Sequence, residues 1–355
     1  MMGERTYLDW NATAPLRPVA RTAMIDAMDR CGNPSSVHAE GRLARGLVER
    51  ARASVAELVG CKPSEVVFTS GATEAASVLR EAARHAAVCV QETAHDCLWA
   101  HLDLSLADSG AATLAMGLAN SETGVVTRPS AEPAWTYGEI ACQTLLLDVV
   151  QAVGRIPWSF AWSGATLAVL SAHKIGGPKG VGALIVREGT DIPALLLGGG
   201  QELGRRSGTE NVAGIAGFGA AATAALEELN QGAWSDVEKL RNILEKTLAT
   251  EAKETIFVGK DFDRLPNTSC FVSPGWKGET QVMQMDLAGF AVSSGSACSS
   301  GKVKVPRVLR AMGLTDDQAE CALRVSLGVE TTEDDVLRFC EAWLKQERKT
   351  PDRAA

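Results

Sequence analysis

The sequence predicts an α/β fold in which a largely parallel sheet is covered by helices. Short β-like runs alternate with helical runs along most of the chain, a pattern typical of such sheets. With 355 residues the chain is long for one hydrophobic core, so two domains of unequal size are expected. Its 34 glycines favour the tight turns and close backbone approaches of an α/β enzyme.

The individual elements follow from hydrophobic periodicity and from glycine positions. Residues 42–59 carry apolar side chains at helical spacing, and Gly60 follows them as a helix end. Short apolar runs predict strands over 65–69, 144–149, 166–170 and 182–187. Further helices are predicted over 213–229, 234–250, 306–312 and 333–346, and further strands over 268–273 and 289–292. We place a domain boundary near residue 230.

Composition and charge exclude several classes of function. The net charge of -8 argues against binding to nucleic acid or to anionic membranes, because both need a basic face. Residues 1–10 are polar and lack the apolar core of a signal peptide. The longest apolar stretch, 213–226, is predicted to be a buried helix and not a membrane span. A cytoplasmic location is therefore expected.

The nine cysteines are spread along the chain without a C-x-x-C pair. This pattern matches neither a disulfide framework nor a zinc ribbon, so most of them are expected to be small buried side chains. His95 with Cys89 and Cys97 is a conceivable metal site. We favour the alternative that these are ordinary strand and loop residues, and no metal is predicted.

The segment 171–180 (SAHKIGGPKG) places Lys174 between a predicted strand and a glycine-rich turn. The glycines and proline fix the backbone and let another group approach closely. Lys174 is therefore a candidate for a Schiff base with an aldehyde cofactor. A plain loop lysine beside a turn is the alternative.

Asp148 lies at the end of the predicted strand 144–149, at the sheet edge where open α/β sheets bind their ligands. A pyridoxal 5′-phosphate (PLP) enzyme needs an acid there, because a protonated pyridine nitrogen lets the ring accept electrons. Gln151, three residues later, can donate to the ring hydroxylate. An aspartate that caps a turn explains Asp148 equally well when it is taken alone.

The turn formed by Gly71, Ala72 and Thr73 connects a predicted strand to a predicted helix. Backbone N–H groups and the helix dipole make such a turn an anion site, and Thr73 adds a hydroxyl. The turn suits the phosphate of a cofactor. Ordinary helix capping is the alternative.

Cys298 differs from the other eight cysteines because it lies in a Ser/Gly-rich segment, 293–301 (SSGSACSSG). It is predicted to be exposed and reactive. A free thiol has a pKa of about 8.5, and Lys302 and Lys304 are close enough in sequence to increase its thiolate fraction. An incidental loop cysteine is the alternative.

Together these segments resemble the cysteine desulfurases, in the class V aminotransferase branch of fold-type I PLP enzymes. The resemblance runs along nearly the whole chain through YLDWNATAP, GNPSS, VFTSGATE, DVVQAVG, SAHKIGGPKGVGAL, GGGQELGRRSGTENV, SSGSACSSG and LRVSLG. It implies a large PLP-binding domain (15–230) with a mostly parallel seven-stranded sheet sandwiched by helices. A smaller α+β domain (1–14 and 231–355) would carry the Cys298 segment.

The resemblance also implies roles for single residues. Lys174 would hold PLP covalently, Asp148 would pair with the pyridine nitrogen, and Gln151 would contact the ring oxygen. The phosphate site would consist of Gly71, Ala72, Thr73, Ser171 and His173, with Thr209 reaching across from the second subunit of a homodimer. His95 would stack on the ring and transfer protons.

The same resemblance assigns the substrate. Arg324 would bind the carboxylate of L-cysteine through its fork of donors, assisted by Asn33. Cys298 would receive the sulfur, which leaves alanine and a persulfide for transfer to an acceptor protein. Iron–sulfur cluster assembly, tRNA thiolation and cofactor synthesis are all possible destinations.

The chain departs from the family pattern in a few places. Ser121 replaces an asparagine that normally donates to the ring hydroxyl, and Ser77 stands where the family often has asparagine. The segment 82–119 is shorter than usual. Two alternatives stay open: another PLP enzyme of the same fold, such as a selenocysteine lyase, or a PLP-binding paralogue with weak or no turnover.

Overall fold

The structure is a computed structural model that describes residues 5–129, 135–295 and 307–349. Its strands are β1 Thr6–Tyr7, β2 Val66–Thr69, β3 Ala87–Val90, β4 Ala112–Gly117, β5 Trp135–Tyr137, β6 Ile140–Cys142, β7 Thr144–Asp148, β8 Leu167–Ser171, β9 Gly182–Val186, β10 Ile256–Phe257, β11 Thr268–Val272, β12 Phe290–Ala291, β13 Ser293–Ser294 and β14 Ala322–Ser326. Its helices are α1 Pro18–Met28, α2 Ala39–Val59, α3 Ala72–Ala76, α4 Val78–Ala82, α5 Asp96–Trp99, α6 Val212–Asn230, α7 Ala233–Glu251, α8 Gly278–Leu287, α9 Arg307–Ala311, α10 Asp316–Glu320 and α11 Glu333–Glu347.

The chain divides into two compact units. The large unit comprises Ala14–Leu118 and Thr127–Gln231, and the small unit comprises Met1–Thr13, Ala119–Val126 and Gly232–Ala355. The segment Ala119–Val126 is the main difference from the predicted boundaries, which gave it to the large domain. It belongs to the small unit because its backbone pairs there: the Leu265 N–H donates to Gly124 O at 2.7 Å, and the Val126 N–H donates to Asp263 O at 2.8 Å.

The large unit is built on a six-stranded sheet in the order β2-β9-β8-β7-β4-β3. Strands β3, β4, β7 and β8 are parallel, whereas β9 is antiparallel to both of its neighbours. Nearly all of the strand residues are buried, as expected for a sheet covered by helices on both faces. The predicted α/β fold with a mostly parallel sheet is confirmed.

The described residues contribute six strands to this sheet, where the resemblance implied seven. Beyond the edge strand β3 the chain forms one isolated antiparallel bridge, between Val88 and Asp103. The two backbone hydrogen bonds of that bridge, 2.7 and 2.9 Å long, involve no further residues on either side. The segment after β3 is short, so it forms a single-residue bridge at the position where the resemblance implied a seventh strand.

Helix α6 is the one helix of the described residues that is long and apolar enough to cross a membrane. It packs against α1 and α2 within the large unit, and many of its small side chains are buried there. A helix with this packing is a core helix of the unit, as the sequence predicted for 213–226.

The small unit contains an antiparallel sheet in the order β10-β11-β14-β13 and a separate parallel pair, β1-β12. Helices α7, α8 and α11 pack on this unit around the buried Trp343 and Phe271 rings, whose centroids are 5.4 Å apart. Arg324 lies in the middle of β14, between Cys270 of β11 and Ser293 of β13.

Candidate functional site

The carboxyl ends of four strands of the large unit carry residues predicted to bind the cofactor. Strands β3, β7 and β8 are parallel through β4, and β2 runs in the same direction as β8 because both are antiparallel to β9. Gly71 follows β2, His95 follows β3, Asp148 ends β7 and Lys174 follows β8. The topology therefore brings these four residues to one edge of the sheet, where α/β proteins bind ligands.

Asp148 is buried at this edge, beside two basic residues. Its Oδ1 accepts a hydrogen bond from the Val150 N–H at 2.9 Å. Burial raises the pKa of Asp148, while the positive charges of His95 and Lys174 act in the opposite direction. The carboxyl group is therefore within electrostatic reach of both residues, which is the neighbourhood that the predicted cofactor site needs.

His95 and Cys97 share this neighbourhood. The His95 Nδ1 accepts a hydrogen bond from the Cys97 N–H at 3.1 Å and so caps α5. His95, Cys97 and Asp148 offer donor atoms that lie within 4.8 Å of one another, the one such His/Cys/acid group in the described residues. The conceivable trio with Cys89 does not form, because Cys89 interacts instead with Cys142.

Lys174 ends a 3₁₀ turn, Ala172–Lys174, that directly follows β8. The Gly177 N–H closes the turn onto Ala172 O at 2.9 Å, and a Cβ at Gly177 would stand 2.9 Å from the Ala172 Cβ. The Lys174 carbonyl accepts a hydrogen bond from Arg155 Nη2 at 3.3 Å. The backbone of this half-buried lysine is thus fixed on both sides, as a covalent anchor requires.

Arg155, which the sequence analysis did not identify, orients the predicted donor to the ring oxygen. Arg155 is buried, and its Nη1 donates to Gln151 Oε1 at 2.6 Å. Because this contact uses the amide oxygen, the amide NH2 is the end of Gln151 that can face an acceptor. The four-residue spacing of the pair is the sequence signal that could have identified Arg155.

The predicted phosphate turn packs against the start of β9. A Cβ at Gly182 would stand 2.6 Å from the Gly71 Cα, so the two backbones are in contact. Gly71 begins α3 without a side-chain cap, as far as the described residues show, and Thr73 is exposed in the first turn. The Ser171 hydroxyl is the nearest neighbour of Gly71 on its open side. Uncapped N–H groups and hydroxyls are donors that suit a phosphate.

His173 is a neutral donor in this region. Burial lowers its pKa to about 4, and the charges of Lys174 and Lys179 act in the same direction. A neutral imidazole carries one N–H, which can donate to an anion without a change of charge.

Thr209 is exposed on a loop of the large unit, residues 198–211. It lines a cavity of about 250 Å³ together with Ser70 and Asn211 of the same chain. Arg206, on the same loop, donates from Nε to Glu74 Oε1 at 2.8 Å. The contact with a second subunit that the resemblance implied for Thr209 stays a prediction.

A second ion pair, also missed from the sequence, holds this loop. Glu202 is buried and accepts from Arg52 Nη1 and Nη2 at 2.7 and 2.8 Å. Glu202 and Leu203 have φ angles of 50° and 57°, in the left-handed region that costs energy for residues other than glycine. The ion pair offsets part of that cost.

Arg324, the predicted ligand of the substrate carboxylate, is buried in the small unit. Its Nη1 donates to Ser121 O at 3.0 Å, and its Nη2 donates to Asp9 Oδ1 at 2.8 Å. Its Nε is buried without a partner among the described residues. Sequence reasoning did not single out Asp9, although it lies in the quoted motif at 7–15.

The two departures from the family pattern have structural contacts of their own. The Ser121 carbonyl accepts from Arg324 and also from Asn11 Nδ2, the latter at 3.1 Å. These are backbone contacts, so they do not depend on the side chain at position 121. The Ser77 hydroxyl donates to Glu74 O at 2.6 Å, at the junction of α3 and α4.

Two further residues were predicted for the site. Asn33 is an exposed residue of the large unit, and its Oδ1 accepts from the Ser35 N–H at 2.9 Å. Cys298 lies in the segment 296–306, outside the described residues. Of the eight other cysteines six are buried, as the sequence predicted for most of them.

Known proteins are similar to this chain over nearly its whole length. The family model described as aminotransferase class-V matches residues 6–97 and 98–339. A cysteine desulfurase of Cereibacter sphaeroides is 37% identical over 95% of this chain and 94% of its own length. A cysteine desulfurase of Frankia sp. (strain EuIK1) is 38% identical over 93% of this chain and 88% of its own length. The X-ray structure of a NifS-like protein from Rickettsia africae superimposes with a TM-score of 0.86 at 30% identity, covering 98% of this chain and 100% of that one.

Proposed function

The chain belongs to the class-V aminotransferase family and, within it, to the cysteine desulfurases, and from this premise we propose that it removes the sulfur from L-cysteine with PLP as cofactor. The products are L-alanine and a persulfide on Cys298. The observation that carries the proposal is the placement of Asp148 and Lys174 at the ends of two adjacent parallel strands, within electrostatic reach of each other.

The residues at this sheet edge fit PLP. Lys174 offers the amine that holds the cofactor covalently, and the buried Asp148 offers the carboxylate for the pyridine nitrogen. The uncapped start of α3, the Ser171 hydroxyl and the neutral His173 offer donors for the phosphate. When bound, PLP supplies a ring that accepts electrons from the α-carbon of the substrate.

The protein residues then bind the substrate and move its protons. Asp148 keeps a proton on the pyridine nitrogen, because a carboxylate in a dry site strongly favours a neighbouring N–H cation. The Lys174 Nζ would be the base for the proton on the substrate α-carbon. His95, at the same sheet edge, is the second acid–base group. Arg324 binds the substrate carboxylate.

The sulfur transfer balances without an external oxidant or reductant. The Cys298 thiolate attacks the sulfur of the substrate, and a sulfur–sulfur bond forms as the carbon–sulfur bond breaks. The substrate carbon keeps the electron pair of the broken bond and takes up a proton, so its CH2 group becomes the methyl group of alanine. The sulfur leaves as the terminal atom of the Cys298 persulfide.

We also infer a homodimer from the loop 198–211 and the residues next to it. Leu197 and Leu203 are 92% and 80% exposed, beside the exposed Thr209. Large exposed leucines are more stable when a partner covers them, and a second copy that places Thr209 near the phosphate site would do so. A solution mass of two chains by light scattering supports the inference, and a monomer at micromolar concentration contradicts it.

The persulfide needs an acceptor, and we propose a soluble acceptor protein in the cytoplasm. Iron–sulfur cluster assembly or another sulfur-using pathway would receive the sulfur from it. The negative net charge of the chain favours a protein partner over nucleic acid or membrane.

The deciding experiment measures alanine and sulfide released from L-cysteine in the presence of a thiol reductant. Wild-type holoenzyme is expected to form both in equal amounts, and Cys298→Ala to lose at least about 10²-fold in rate because the nucleophile is gone. Cys31→Ala is the matched control, since Cys31 is an exposed cysteine outside the site. Most of the activity surviving in Cys298→Ala would contradict the mechanism.

Other outcomes point to the two remaining readings of the sequence. A yellow protein that forms no alanine would indicate a PLP-binding paralogue without turnover. Selenocysteine turnover that is indifferent to Cys298, with no turnover of cysteine, would indicate a selenocysteine lyase.

A further inference from the structure

Arg324 distributes its hydrogen bonds differently from two other arginines whose side chains are largely shielded from solvent. Arg52 and Arg264 each place two nitrogens on both oxygens of one glutamate, Glu202 and Glu245 respectively. Arg324 makes one bond to its carboxylate, and its Nε is the one buried arginine nitrogen without a partner in the described part of the chain. The Nε–H of Arg324 is thus a buried donor that can form a hydrogen bond with a ligand.

Asp9 is the carboxylate that makes this single bond, and it connects two facing strand positions. Its Oδ1 accepts from Arg324 Nη2 at 2.8 Å, and its Oδ2 accepts from the Ser293 hydroxyl at 2.8 Å. Ser293 is directly opposite Arg324 in the β13–β14 pair. The Asp9 backbone forms a parallel bridge with Ser326 of β14. The Asp9 carboxylate is therefore positioned by the same sheet that contains Arg324.

The other terminal nitrogen of Arg324 is held just as firmly. It donates to the Ser121 carbonyl at 3.0 Å, and the same carbonyl accepts from Asn11 Nδ2 at 3.1 Å. Asn11 is itself buried and donates to the Thr268 hydroxyl at 2.9 Å. With both terminal nitrogens fixed, the guanidinium plane cannot rotate unless two hydrogen bonds break.

We propose that Asp9 is a positioning residue that holds Arg324 in the orientation in which it binds the carboxylate of the substrate. The inference rests on the proposed function, because that function supplies the carboxylate. A single aspartate bond balances the charge of the buried arginine and aligns it, and it leaves the Nε–H free for a ligand. A two-oxygen pair such as Glu245 with Arg264 would instead occupy the donors that a substrate needs.

The first test is Asp9→Asn in the holoenzyme. Asparagine keeps an oxygen acceptor for Nη2 and a polar partner for Ser293, but it removes the charge. The KM for L-cysteine is expected to rise about fivefold, with kcat changed by less than about twofold, because a charge-assisted hydrogen bond becomes a neutral one. Ser293→Ala is the milder variant: it removes the bond to Oδ2 alone and is expected to raise KM about twofold.

The second readout does not need turnover. Cysteamine is cysteine without its carboxylate, so the affinities for cysteine and cysteamine are compared through the absorbance change of the cofactor in a Cys298→Ala background. Asp9→Asn is expected to weaken cysteine binding about fivefold and to leave cysteamine binding unchanged, because cysteamine offers nothing to Arg324.

The matched control is Glu245→Gln. It removes a buried arginine–carboxylate pair of the same unit in which the carboxylate likewise accepts from a serine, Ser269 Oγ at 2.8 Å. It is expected to lower the Tm and to leave cysteine affinity unchanged.

Tighter cysteine binding by Asp9→Asn would overturn the proposal, because it would mean that Asp9 competes with the substrate. An equal loss for cysteine and cysteamine would also overturn it, as a general structural defect. An unresponsive wild-type holoenzyme rejects the proposed function and this inference together. A responsive wild type with an indistinguishable Asp9→Asn variant rejects the inference alone.

Discussion

The large unit and the small unit hold their predicted site residues in different ways. In the large unit, Asp148, Lys174 and Gly71 take their places from the ends of neighbouring strands and from the turns that follow them. In the small unit, Arg324 sits in the middle of a strand, and its orientation depends on Asp9, which lies 315 residues earlier in the chain. The first arrangement is set by backbone topology and local turns, and the second by side-chain contacts between distant segments.

This difference makes the two groups of residues separable by experiment. Variants of the large-unit group should change how the protein holds its cofactor, and hence its colour. Variants of the small-unit group should leave the colour intact and change the dependence on substrate concentration. A variant that affects both properties would weaken the comparison.

The largest effect is expected from Lys174→Ala. The protein should lose the absorbance band of the bound cofactor and at least about 10³-fold in activity, because both the covalent anchor and a proton-transfer group are removed. The control is Lys179→Ala, which changes an exposed lysine five residues away in the same segment. Loss of colour in Lys179→Ala with retention in Lys174→Ala would reverse the assignment.

Arg324→Lys is the corresponding change in the small unit. Lysine keeps the positive charge but lacks the planar fork, so the KM for cysteine should rise about 10²-fold while the cofactor band is unchanged. Steady-state kinetics and an absorbance spectrum of the same preparation check both halves of the prediction. A Tm measurement shows whether the variant, in which lysine replaces the arginine of the buried pair with Asp9, still folds. Loss of colour would show that this arginine also supports the cofactor.

Gly182→Ala tests the backbone contact behind the phosphate turn. The new Cβ would meet Gly71 Cα and Leu170 O at 2.6 Å, so the turn must move. Unfolding free energy should fall by about 1–3 kcal/mol, and cofactor affinity should fall with it. Gly46→Ala, inside α2, is the control and is expected to stabilise the protein by about 0.5–1 kcal/mol. Unchanged cofactor affinity in Gly182→Ala would separate the turn from the cofactor site.

The smallest effect concerns the part of the acid stability that depends on histidines, all five of which lie in the large unit. The pKa of His173 is lowered to about 4 in the fold, so the unfolded chain takes up a proton first as the pH falls. His173 therefore makes the Tm of the apoprotein decrease as the pH falls from about 6.5 towards 4. His173→Gln should flatten this part of the curve. An unchanged slope would mean that His173 does not contribute.

The elements that could be predicted are those with strong local signals. The predicted helix 42–59 corresponds to α2, Ala39–Val59, because helical periodicity and Gly60 define it. The predicted strand 144–149 corresponds to β7, Thr144–Asp148, because a short apolar run defines it. The resemblance implied a seventh strand, but the described residues form only the single bridge of Val88 with Asp103 beyond β3. No local pattern in the sequence distinguishes such a bridge from a short strand.

The site residues show the same division. Lys174 and Asp148 could be identified because each follows or ends an apolar run and stands beside a characteristic motif. Arg52 and Asp9 act through hydrogen bonds to residues far along the chain that no local pattern connects to them. A single sequence carries no signal of such pairings, and they are visible only once the strands are in register.

The most direct test of the account is to treat the purified yellow holoenzyme with borohydride, which reduces the bond between the cofactor and its lysine, and to map the labelled peptide by mass spectrometry. The prediction is one pyridoxyl group per chain on Lys174, and none on the adjacent Lys179. A label on Lys179 or on another lysine, or no label in a protein that retains its colour, would contradict the assignment of the site.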